Sequence, residues 1–598
     1  MNNMDNNYLP HLENAVPSAA HGNRLSMYLI ALEAWRRGLT VKFFTIDNPE
    51  NKLLVRYSLS NQEKEYRFES SRGSKLTDKA FEISDNKDLT KKVISKAGVN
   101  VPEGKRFEAS IDDSEIVAYA NALGYPLVLK PISENAGKGV FSDIKTEEQL
   151  KEALVHVRSD LNYHDVIVEK YIPGIEYRIL VVDGEVIGAV NRIPANVVGN
   201  GKNSIEELIK MKNKEKKNNP NLSKKTIKID KEVLDSIQSL GYELETILED
   251  GERIYLRSKS NASTGGDPID VTNELTDELI SIATKSFHAI PGLDVCGLDM
   301  IVDKENNTGA VIEINTKPML GLHVFPMRGE ARDVVKPIID YYFPETINTK
   351  KTNLYFDFDS ILAPFISRSI NEVVLPAPPS LEEQYAKRYI VSGNISVVGY
   401  KSWVRKKALR NKLHGYIKDL KDGTTEIVIA GSNKTEVEQF KDICYEGPEE
   451  AEVMEVEEYN WEKPVKTGFE ILRESRTELL NKLENEKDEN NKLLQQKEKM
   501  KRKTKKKEER LKQDKAKAKQ RIKDIEKEKE KVQQNEEEIK NEKVKLQAEK
   551  EKLLKEIEEL VEEREVLRQN DIMIKNSHSW RITKPLRDLS GYLKRIKS

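Results

Sequence analysis

The sequence predicts a multidomain protein of mixed α/β and α+β folds followed by one long helix, and three observations lead to this fold class. Helix and strand signals alternate from about Leu25 onward, with short apolar runs such as "PLVLKP" and "DVIVEKYI" between helical stretches. A second, compact α+β pattern covers residues 385–463. Residues 472–567 contain neither proline nor glycine, so nothing in them interrupts a helix.

These changes of pattern set the expected domain boundaries. They are an N-terminal α/β nucleotide-fold lobe at 1–86, a central domain at 87–347, a linker at 348–384, an α+β domain at 385–463, a helical segment at 468–570 and a basic amphipathic tail at 571–598. The linker is expected because its end, "LPAPPS", is rich in proline.

Composition excludes several classes of protein. The 598 residues contain 99 basic and 101 acidic side chains, and this balance predicts no nucleic-acid partner. Cys296 and Cys444 are the two cysteines and lie far apart, so neither a disulfide framework nor a zinc site is expected. The polar N-terminus and the absence of an apolar run of about 18–20 residues predict a soluble, cytoplasmic protein.

Three oxygen-bearing side chains carry the strongest chemical signal. Asp299 lies in "GLDMI", and Glu313 and Asn315 lie in "IEINT". Side chains two apart on a strand share a face, and buried carboxylates are costly unless they are paired or bound to metal. Such ligands suit Mg²⁺, which completes its shell with phosphate oxygens and water. The alternative is that Asp299 and Glu313 pair with basic side chains and serve stability alone.

A lysine and a glycine-rich turn strengthen the nucleotide interpretation. Lys130 ends the apolar strand "PLVLK", where an ammonium group is costly without an anion. The turn "GKGV" begins at Gly137, and its glycines allow backbone N–H groups to approach phosphate closely.

Longer segments make the resemblance specific. The run from about Lys87 to Pro344 resembles the ATP-grasp domain found in cyanophycin synthetase and bifunctional glutathione synthetase. The matching segments are "RIPANVVGNGKNSIEELI", "LRSKSNASTGGDPIDVT", "VCGLDMIV", "IEINTKPML" and "HVFPMRG".

The resemblance implies a role for individual residues. Lys87 and Lys130 would hold the phosphates of ATP, with Gly137 and Gly139 in a mobile loop over them. The adenine hinge would be Glu169, Lys170, Tyr171 and Ile172, with Glu176 near the ribose. Asp299, Glu313 and Asn315 would hold Mg²⁺ or Mn²⁺. Arg257, Asn261 and Arg178 would be the catalytic residues, the first two contacting the transferred phosphoryl group.

The function expected from this resemblance is ATP-dependent ligation. A small-molecule carboxylate would attack the γ-phosphate, and an amine would then displace phosphate from the acyl phosphate to form an amide. Two alternatives stay open, namely hydrolysis of acyl phosphates and a non-enzymatic coiled-coil scaffold in cell-envelope polysaccharide assembly.

The block from Tyr389 to Trp461 resembles acylphosphatase, a ferredoxin-like α+β fold, through "GNISVVGYK", "LHGYIKDLKDG" and "CYEGPEEAEV". Its working residues differ from that family. Val397 replaces a loop glycine, Lys401 the phosphate-binding arginine and Asp419 the water-orienting asparagine. Lysine lacks the bidentate fork of arginine, and aspartate would repel a phosphate anion. We therefore expect no acylphosphatase activity.

The C-terminal segment has the repeat of a coiled coil. From Leu511, apolar residues recur every seven positions as far as Leu567, but a second apolar seam is poor. This pattern favours a weak homodimer over a solitary charged helix. The tail places Ile582, Leu586 and Leu589 on one face among basic residues. That face predicts docking to an anionic membrane surface or an envelope-assembly partner, with an ordinary helical end cap as the alternative.

Overall fold

A computed structural model of the chain describes residues 8–46, 52–132, 139–257, 265–379, 384–395, 399–472, 497, 500 and 529–576. The chain forms two units, Met1–Arg473 and Glu474–Ser598.

The helices and strands of the described residues are numbered in chain order. The helices are α1 Leu25–Arg36, α2 Asp78–Asp85, α3 Lys87–Lys96, α4 Asp113–Leu123, α5 Glu147–Leu154, α6 Ile205–Asn218, α7 Lys231–Ser239, α8 Asp277–His288, α9 Gly321–Val324, α10 Val335–Tyr342, α11 Phe358–Ile366, α12 Tyr400–Arg410, α13 Lys434–Glu446 and α14 Lys529–Asn576. The strands are β1 Thr40–Thr45, β2 Val55–Ser60, β3 Glu65–Glu69, β4 Arg72–Gly73, β5 Gly104–Phe107, β6 Leu127–Pro131, β7 Phe141–Ile144, β8 Val166–Lys170, β9 Ile175–Val182, β10 Glu185–Ile193, β11 Asn196–Val198, β12 Arg253–Tyr255, β13 Asp267–Asp270, β14 Val295–Asp303, β15 Thr308–Asn315, β16 Leu354–Tyr355, β17 Glu372–Val374, β18 Tyr385–Asn394, β19 His414–Asp419, β20 Thr425–Gly431, β21 Glu452–Asn460, β22 Val465–Lys466 and β23 Phe469–Ile471.

The N-terminal lobe is an antiparallel sheet in the order β17-β1-β2-β3-β4 with α1 against it. The predicted helix followed by a strand is present as α1 and β1. All twelve residues of α1 are buried, including its charged ones. A helix buried on every side needs partners on every side, and the buried segments after residue 333 supply them.

The segment 348–384, which the sequence predicts as a linker, is largely folded. It contains β16, α11 and β17, and β17 completes the lobe sheet by pairing Val373 with Phe43. Phe358 and Phe365 of α11 are fully buried in the lobe core. The prediction of a linker rested on the proline-rich end and was wrong for most of the segment. The aromatic residues before that end bury enough apolar surface to hold the segment in the core.

The central block carries two sheets. The first has the order β5-β8-β6-β7 and the second the order β13-β10-β9-β14-β15, and every pairing given for the two sheets is antiparallel. Side-chain caps begin most of its helices, and the predicted capping box of Ser204 and Glu207 opens α6. The two sheets position the candidate site.

The second α+β block has the order β21-β18-β20-β19-β23, with α12 and α13 packed on the sheet. This order, with two βαβ-type units and antiparallel neighbours, is the ferredoxin-like arrangement expected from the sequence. The sheet continues to Ile471 through β23, which pairs in parallel with β19.

The long helix is present over Lys529–Asn576; the sequence predicts its part up to residue 570, and residues 571–576 belong to the predicted tail. The remainder of 468–570, with the exception of a few residues, and the tail from residue 577 lie outside the described residues. Among the described helices, none combines the length and the apolar character that crossing a membrane requires.

Candidate functional site

Two neighbouring strands bring the predicted metal residues into one row, and a third strand places Arg178 beside them. Arg178 on β9 is the register partner of Asp299 on β14, and Asp299 is the partner of Glu313 on β15. Asn315 follows two residues along β15, opposite Gly297. Paired residues on adjacent strands share a face of the sheet. Asp299, Glu313 and Asn315, called here the carboxylate row, are therefore assembled by strand register.

Asp299 is held by two arginines. Both oxygens of its buried carboxylate accept from Arg178, whose Nη2 is 2.6 Å from Oδ2. Arg192 Nη2 lies 3.3 Å from the same Oδ2 and also contacts the Glu176 carboxylate. Burial would lower the pKa of Arg178, but the Asp299 carboxylate outweighs it and raises that pKa. In this structure the Asp299 carboxylate is thus ion-paired with Arg178 and Arg192.

Gly297 makes room for this arrangement. A Cβ atom at this position would lie 3.1 Å from the Arg178 Cδ, closer than most real Cβ contacts. A larger residue than glycine in "CGLDM" would therefore crowd the arginine side chain. Sequence reasoning missed Arg192, although its place in the hairpin of β9 and β10, opposite the Glu176 end of β9, was a usable signal.

Glu313 and Asn315 remain accessible to a ligand. The Glu313 side chain is 31% exposed, and its Oε2 is 3.9 Å from Lys87 Nζ, at the limit of an ion pair. In the part of the chain that the structure describes, no three His, Cys, Asp or Glu side chains are arranged to hold a metal by themselves. Two carboxylates and an amide oxygen do fit Mg²⁺, which binds few protein ligands and takes phosphate oxygens and water for the rest.

A second cluster, called here the buried triad, lies on the other sheet. Glu169 on β8 is 3% exposed. Its Oε2 is 2.8 Å from Lys130 Nζ on β6, and its Oε1 accepts from Lys91 on α3. Gly104 on β5 stands opposite Glu169, and a Cβ there would lie 2.6 Å from the Glu169 Cγ. Two lysines thus converge on one carboxylate, and a phosphate oxygen brought to them would meet both charges.

Lys91 is the member of the triad that the sequence reasoning missed. It follows Lys87 by four residues on α3, so the two side chains share a helix face. That spacing could have identified it. The predicted phosphate lysines Lys87 and Lys130 therefore have different roles in this structure, since Lys87 approaches Glu313 and Lys130 approaches Glu169.

The charges of the triad shift the titration of its members. Burial, followed by the neighbouring Lys130, lowers the pKa of Lys91 from 10.5 to about 8. Burial alone would raise the pKa of Glu169, but the two lysines outweigh it and hold that pKa below its ordinary value. The triad therefore keeps a buried carboxylate ionised at neutral pH.

The lowered pKa of Lys91 predicts a stability change with pH. Between pH 8 and 10.5 the unfolded chain keeps the Lys91 proton that the folded chain releases, so stability rises with pH in this window. Lys91→Met should remove this rise. Urea unfolding of both proteins at pH 8.0 and 9.5 measures it, with Lys92→Met, an exposed neighbour, as the control. An unchanged pH dependence in Lys91→Met would contradict the shifted pKa.

The predicted hinge residues are held by local hydrogen bonds. The Lys170 ammonium caps the end of α4, with Nζ 2.9 Å from the carbonyl oxygen of Gly124. The N–H groups of Lys170 and Tyr171 donate to the carbonyls of Glu103 and Pro126. The Lys170 side chain thus stabilises the local fold. The backbone of the hinge, including Ile172, is then the part suited to bind adenine.

Of the predicted catalytic residues, Arg257 is held by two carboxylates. Its Nη2 is 2.5 Å from Asp230 Oδ2, and its Nη1 contacts Glu232. Asn261 lies outside the described residues, as does Gly137. Gly139 is described and has φ +70°, a left-handed backbone conformation that favours glycine.

In the second α+β block, two of the three altered positions face each other. The Lys401 ammonium on α12 contacts the Asp419 carboxylate at the end of β19. Thr425 Oγ1 donates to the other carboxylate oxygen over 3.2 Å. Asp419 therefore neutralises the cation that would otherwise attract phosphate. Val397 lies outside the described residues.

This ion pair predicts that the chain does not hydrolyse acyl phosphates. We expect benzoyl phosphate to disappear no faster with the full chain than in buffer, measured by ultraviolet absorbance. The triple variant Val397→Gly, Lys401→Arg, Asp419→Asn should gain hydrolysis, because it restores the fork and removes the repelling charge. Hydrolysis by the unaltered chain would contradict the prediction.

Two family models match separate parts of the chain. Residues 107–248 match the family model "Prokaryotic glutathione synthetase, ATP-grasp domain". The chain contains an ATP-grasp domain. Residues 387–471 match the acylphosphatase family, so an acylphosphatase-like domain follows the ATP-grasp domain, as the sequence predicts.

Curated relatives match about half of the chain. Cyanophycin synthetase from Crocosphaera subtropica is 34% identical over 278 residues, covering 44% of this chain and 31% of that protein. The glutathione biosynthesis bifunctional protein from Clostridium perfringens is 34% identical over 331 residues, covering 53% of this chain and 41% of that protein. The chain thus spans less than half the length of these relatives. A solved bifunctional glutathione synthetase from Pasteurella multocida matches with 30% identity and a TM-score of 0.39, covering 48% of this chain and 41% of that chain.

Proposed function

We propose that this protein is an ATP- and Mg²⁺-dependent carboxylate–amine ligase that forms an amide through an acyl phosphate. The observation that carries the proposal is the pair of clusters on the two sheets of the ATP-grasp domain. The buried triad supplies cations for phosphate, and the carboxylate row supplies oxygen ligands for a divalent ion. ATP-dependent ligation needs both.

In the proposed first step, a carboxylate oxygen of the substrate attacks the γ-phosphorus of ATP. The bond from that phosphorus to the bridging oxygen breaks, and ADP leaves. Lys130 and Lys87 offset the negative charge on the phosphates, and Arg257 does so beside the transferred group. Asp299, Glu313 and Asn315 would hold Mg²⁺, which supplies further positive charge to the phosphate oxygens.

In the second step, an amine nitrogen attacks the carbonyl carbon of the acyl phosphate. The carbon–oxygen bond to phosphate then breaks, inorganic phosphate leaves, and the nitrogen loses a proton to give the amide. The acyl phosphate must be kept from water during this time, and the glycines of the "GKGV" turn suit a closing loop.

The test is a search for product. The full chain is incubated with Mg·ATP and pools of carboxylates and amines, and ADP release is followed together with mass spectrometry. We expect ADP and a new mass equal to one carboxylate plus one amine minus water. ADP formation without any new amide mass, in every pool, would contradict the ligase and leave an ATPase.

Acyl-phosphate hydrolysis is not favoured, since Asp419 neutralises Lys401.

The C-terminal helix gives a further prediction for the assembly. We propose that residues 468–570 form a weak parallel homodimer, because one apolar residue per heptad buries little surface. Sedimentation equilibrium of the full chain should show a monomer–dimer exchange that is lost when residue 474 onward is removed. A dimer that survives this truncation would place the interface elsewhere. We also propose a cytoplasmic location and docking of the tail to an anionic membrane surface or an envelope-assembly partner, which deletion of 577–598 would test.

A further inference from the structure

A charged cavity lies in the N-terminal lobe, away from both clusters of the ATP-grasp domain. It has a volume of about 290 Å³ and is lined by side chains that include His11, Glu33, Arg36, Asp333 and Lys351. These residues come from the N-terminal segment, from the last turn of α1 and from the segments before α10 and β16. Nothing in the proposed ligase reaction uses this cavity.

Arg36 is a buried cation in its wall without an anionic partner. Its side chain donates from Nε to the Leu354 carbonyl oxygen and from Nη1 to the His11 carbonyl oxygen, both at 2.8 Å. Its Nη2 has no hydrogen-bond partner among the described residues, although Arg36 is only 2% exposed. A buried charge and an unused donor are both costly, so this guanidinium is suited to receive an anion.

The next residue of the same helix, Arg37, is an arginine whose charge is paired. Arg37 is also buried, and its guanidinium pairs with Glu33 at 2.7 Å and with Asp340 at 2.6 Å. Arg36 has no such carboxylate, because the two nearest acidic side chains of the cavity are engaged differently. Glu33 is shared between Arg37 and Lys351, and Asp333 stands 3.7 Å from the His11 ring.

The cavity therefore presents two kinds of partner to a ligand. Arg36 and Lys351 offer positive charge, whereas Asp333 offers a carboxylate whose contact with His11 is long. Burial lowers the pKa of His11, so its ring is mostly neutral at pH 7 and forms no full ion pair with Asp333, whose carboxylate also accepts from the N–H of Lys336 over 3.3 Å. A molecule with a carboxylate and an ammonium group complements both sides. The volume is at the small end for ligand pockets, which favours a molecule of amino-acid size.

The position of the cavity separates it from the proposed reaction. Ser26, at the start of α1, accepts a hydrogen bond from the N–H of Leu320, five residues after Asn315. Arg36 ends the same helix, about 15 Å away at 1.5 Å per residue. The cavity is thus at the opposite end of α1 from the segment that follows the carboxylate row.

We propose that this cavity is a second small-molecule site that binds a free α-amino acid, with the carboxylate on Arg36 and the ammonium group on Asp333. Binding supplies the anion that Arg36 lacks, and it stabilises the lobe by linkage. The cavity lies outside the part of the ATP-grasp domain that binds phosphate in the proposed reaction, so we assign it as an effector site and not as a substrate site. The proposal stands whether or not the ligase reaction is confirmed.

The test is direct binding to the full chain without ATP. Each of the twenty amino acids is titrated by calorimetry and by thermal shift, alongside acetate, ethylamine and inorganic phosphate. We expect saturable binding of at least one amino acid that raises Tm, with acetate at least tenfold weaker and ethylamine inactive. Equal binding of acetate or phosphate would overturn the zwitterion assignment, and no saturable binding of any amino acid would overturn the site.

Matched variants locate the binding. Lys351→Met should weaken it at least tenfold, whereas Lys350→Met, which changes an exposed neighbour outside the cavity, should not. Arg36→Met should abolish it. If Arg36→Met does not fold, nuclear magnetic resonance of the wild-type chain replaces this variant. The ring signals of His11, assigned with His11→Asn, should then shift when the amino acid is titrated. Binding that is unchanged in Lys351→Met, or that leaves His11 unmoved, would place the ligand elsewhere and overturn the proposal.

Discussion

Glu313→Gln is expected to lower Mg·ATP turnover by about 100-fold or more while the chain stays folded. A metal ligand contributes several kcal/mol to the transition state, and each 1.36 kcal/mol is a factor of about ten in rate. Glutamine keeps the size of the side chain, and Glu313 is only half-buried, with one distant partner in Lys87. Asn315→Ala should have a similar effect. The measurement is ADP release at saturating ATP, with circular dichroism to confirm folding.

A control separates the metal role from simple loss of charge. Glu305 lies in the exposed turn between β14 and β15, ten residues from Asn315, and Glu305→Gln should turn over ATP as the wild type does. Raising the Mg²⁺ concentration should partly restore Glu313→Gln, because a weakened site is filled by mass action. Wild-type turnover in both Glu313→Gln and Asn315→Ala would return these residues to a purely structural role.

Glu169→Gln is expected to destabilise the protein by about 3–5 kcal/mol, because it leaves two partly buried lysines together without a counter-charge. Tm of the corresponding calorimetric transition should fall on the order of 10 °C. The loss should be smaller at pH 9.5 than at pH 7, since Lys91 can then release its proton. ATP binding should weaken as well, because the lysines lose the group that positions them.

The double variant Glu169→Gln, Lys91→Met tests the cause. Removing one of the two lysines relieves the repulsion, so the double variant should be more stable than Glu169→Gln alone, a coupling of neighbouring sites. Glu103→Gln is the matched control, since this glutamate is exposed and lies beside the same hinge. If Glu169→Gln were as stable as Glu103→Gln, the triad would not be the ionic unit described above.

The residue types of the site could be read from the sequence. Apolar strands of this sequence carry two acidic residues and an asparagine, and another apolar strand ends in a lysine. Burying such groups costs free energy unless the carboxylates meet a cation and the lysine meets an anion. Strand alternation then placed Glu313 and Asn315 on one face. The helix over residues 529–570 also followed from local pattern, which acts over a few neighbouring residues. The ferredoxin-like order of the second α+β block was instead implied by the resemblance to acylphosphatase.

Which charges meet was decided by the tertiary structure alone. Lys91 and Glu169 are 78 residues apart in the chain, and Arg178 and Asp299 are 121 apart. Strand register and the packing of α3 bring them together, and no local pattern encodes either. The prediction of a linker at 348–384 was wrong for the same reason. The place of this segment in the lobe depends on β17 pairing with the free edge of β1, which is a long-range contact. The sequence by itself determined which side chains need a partner, and long-range packing determined which partner each one has.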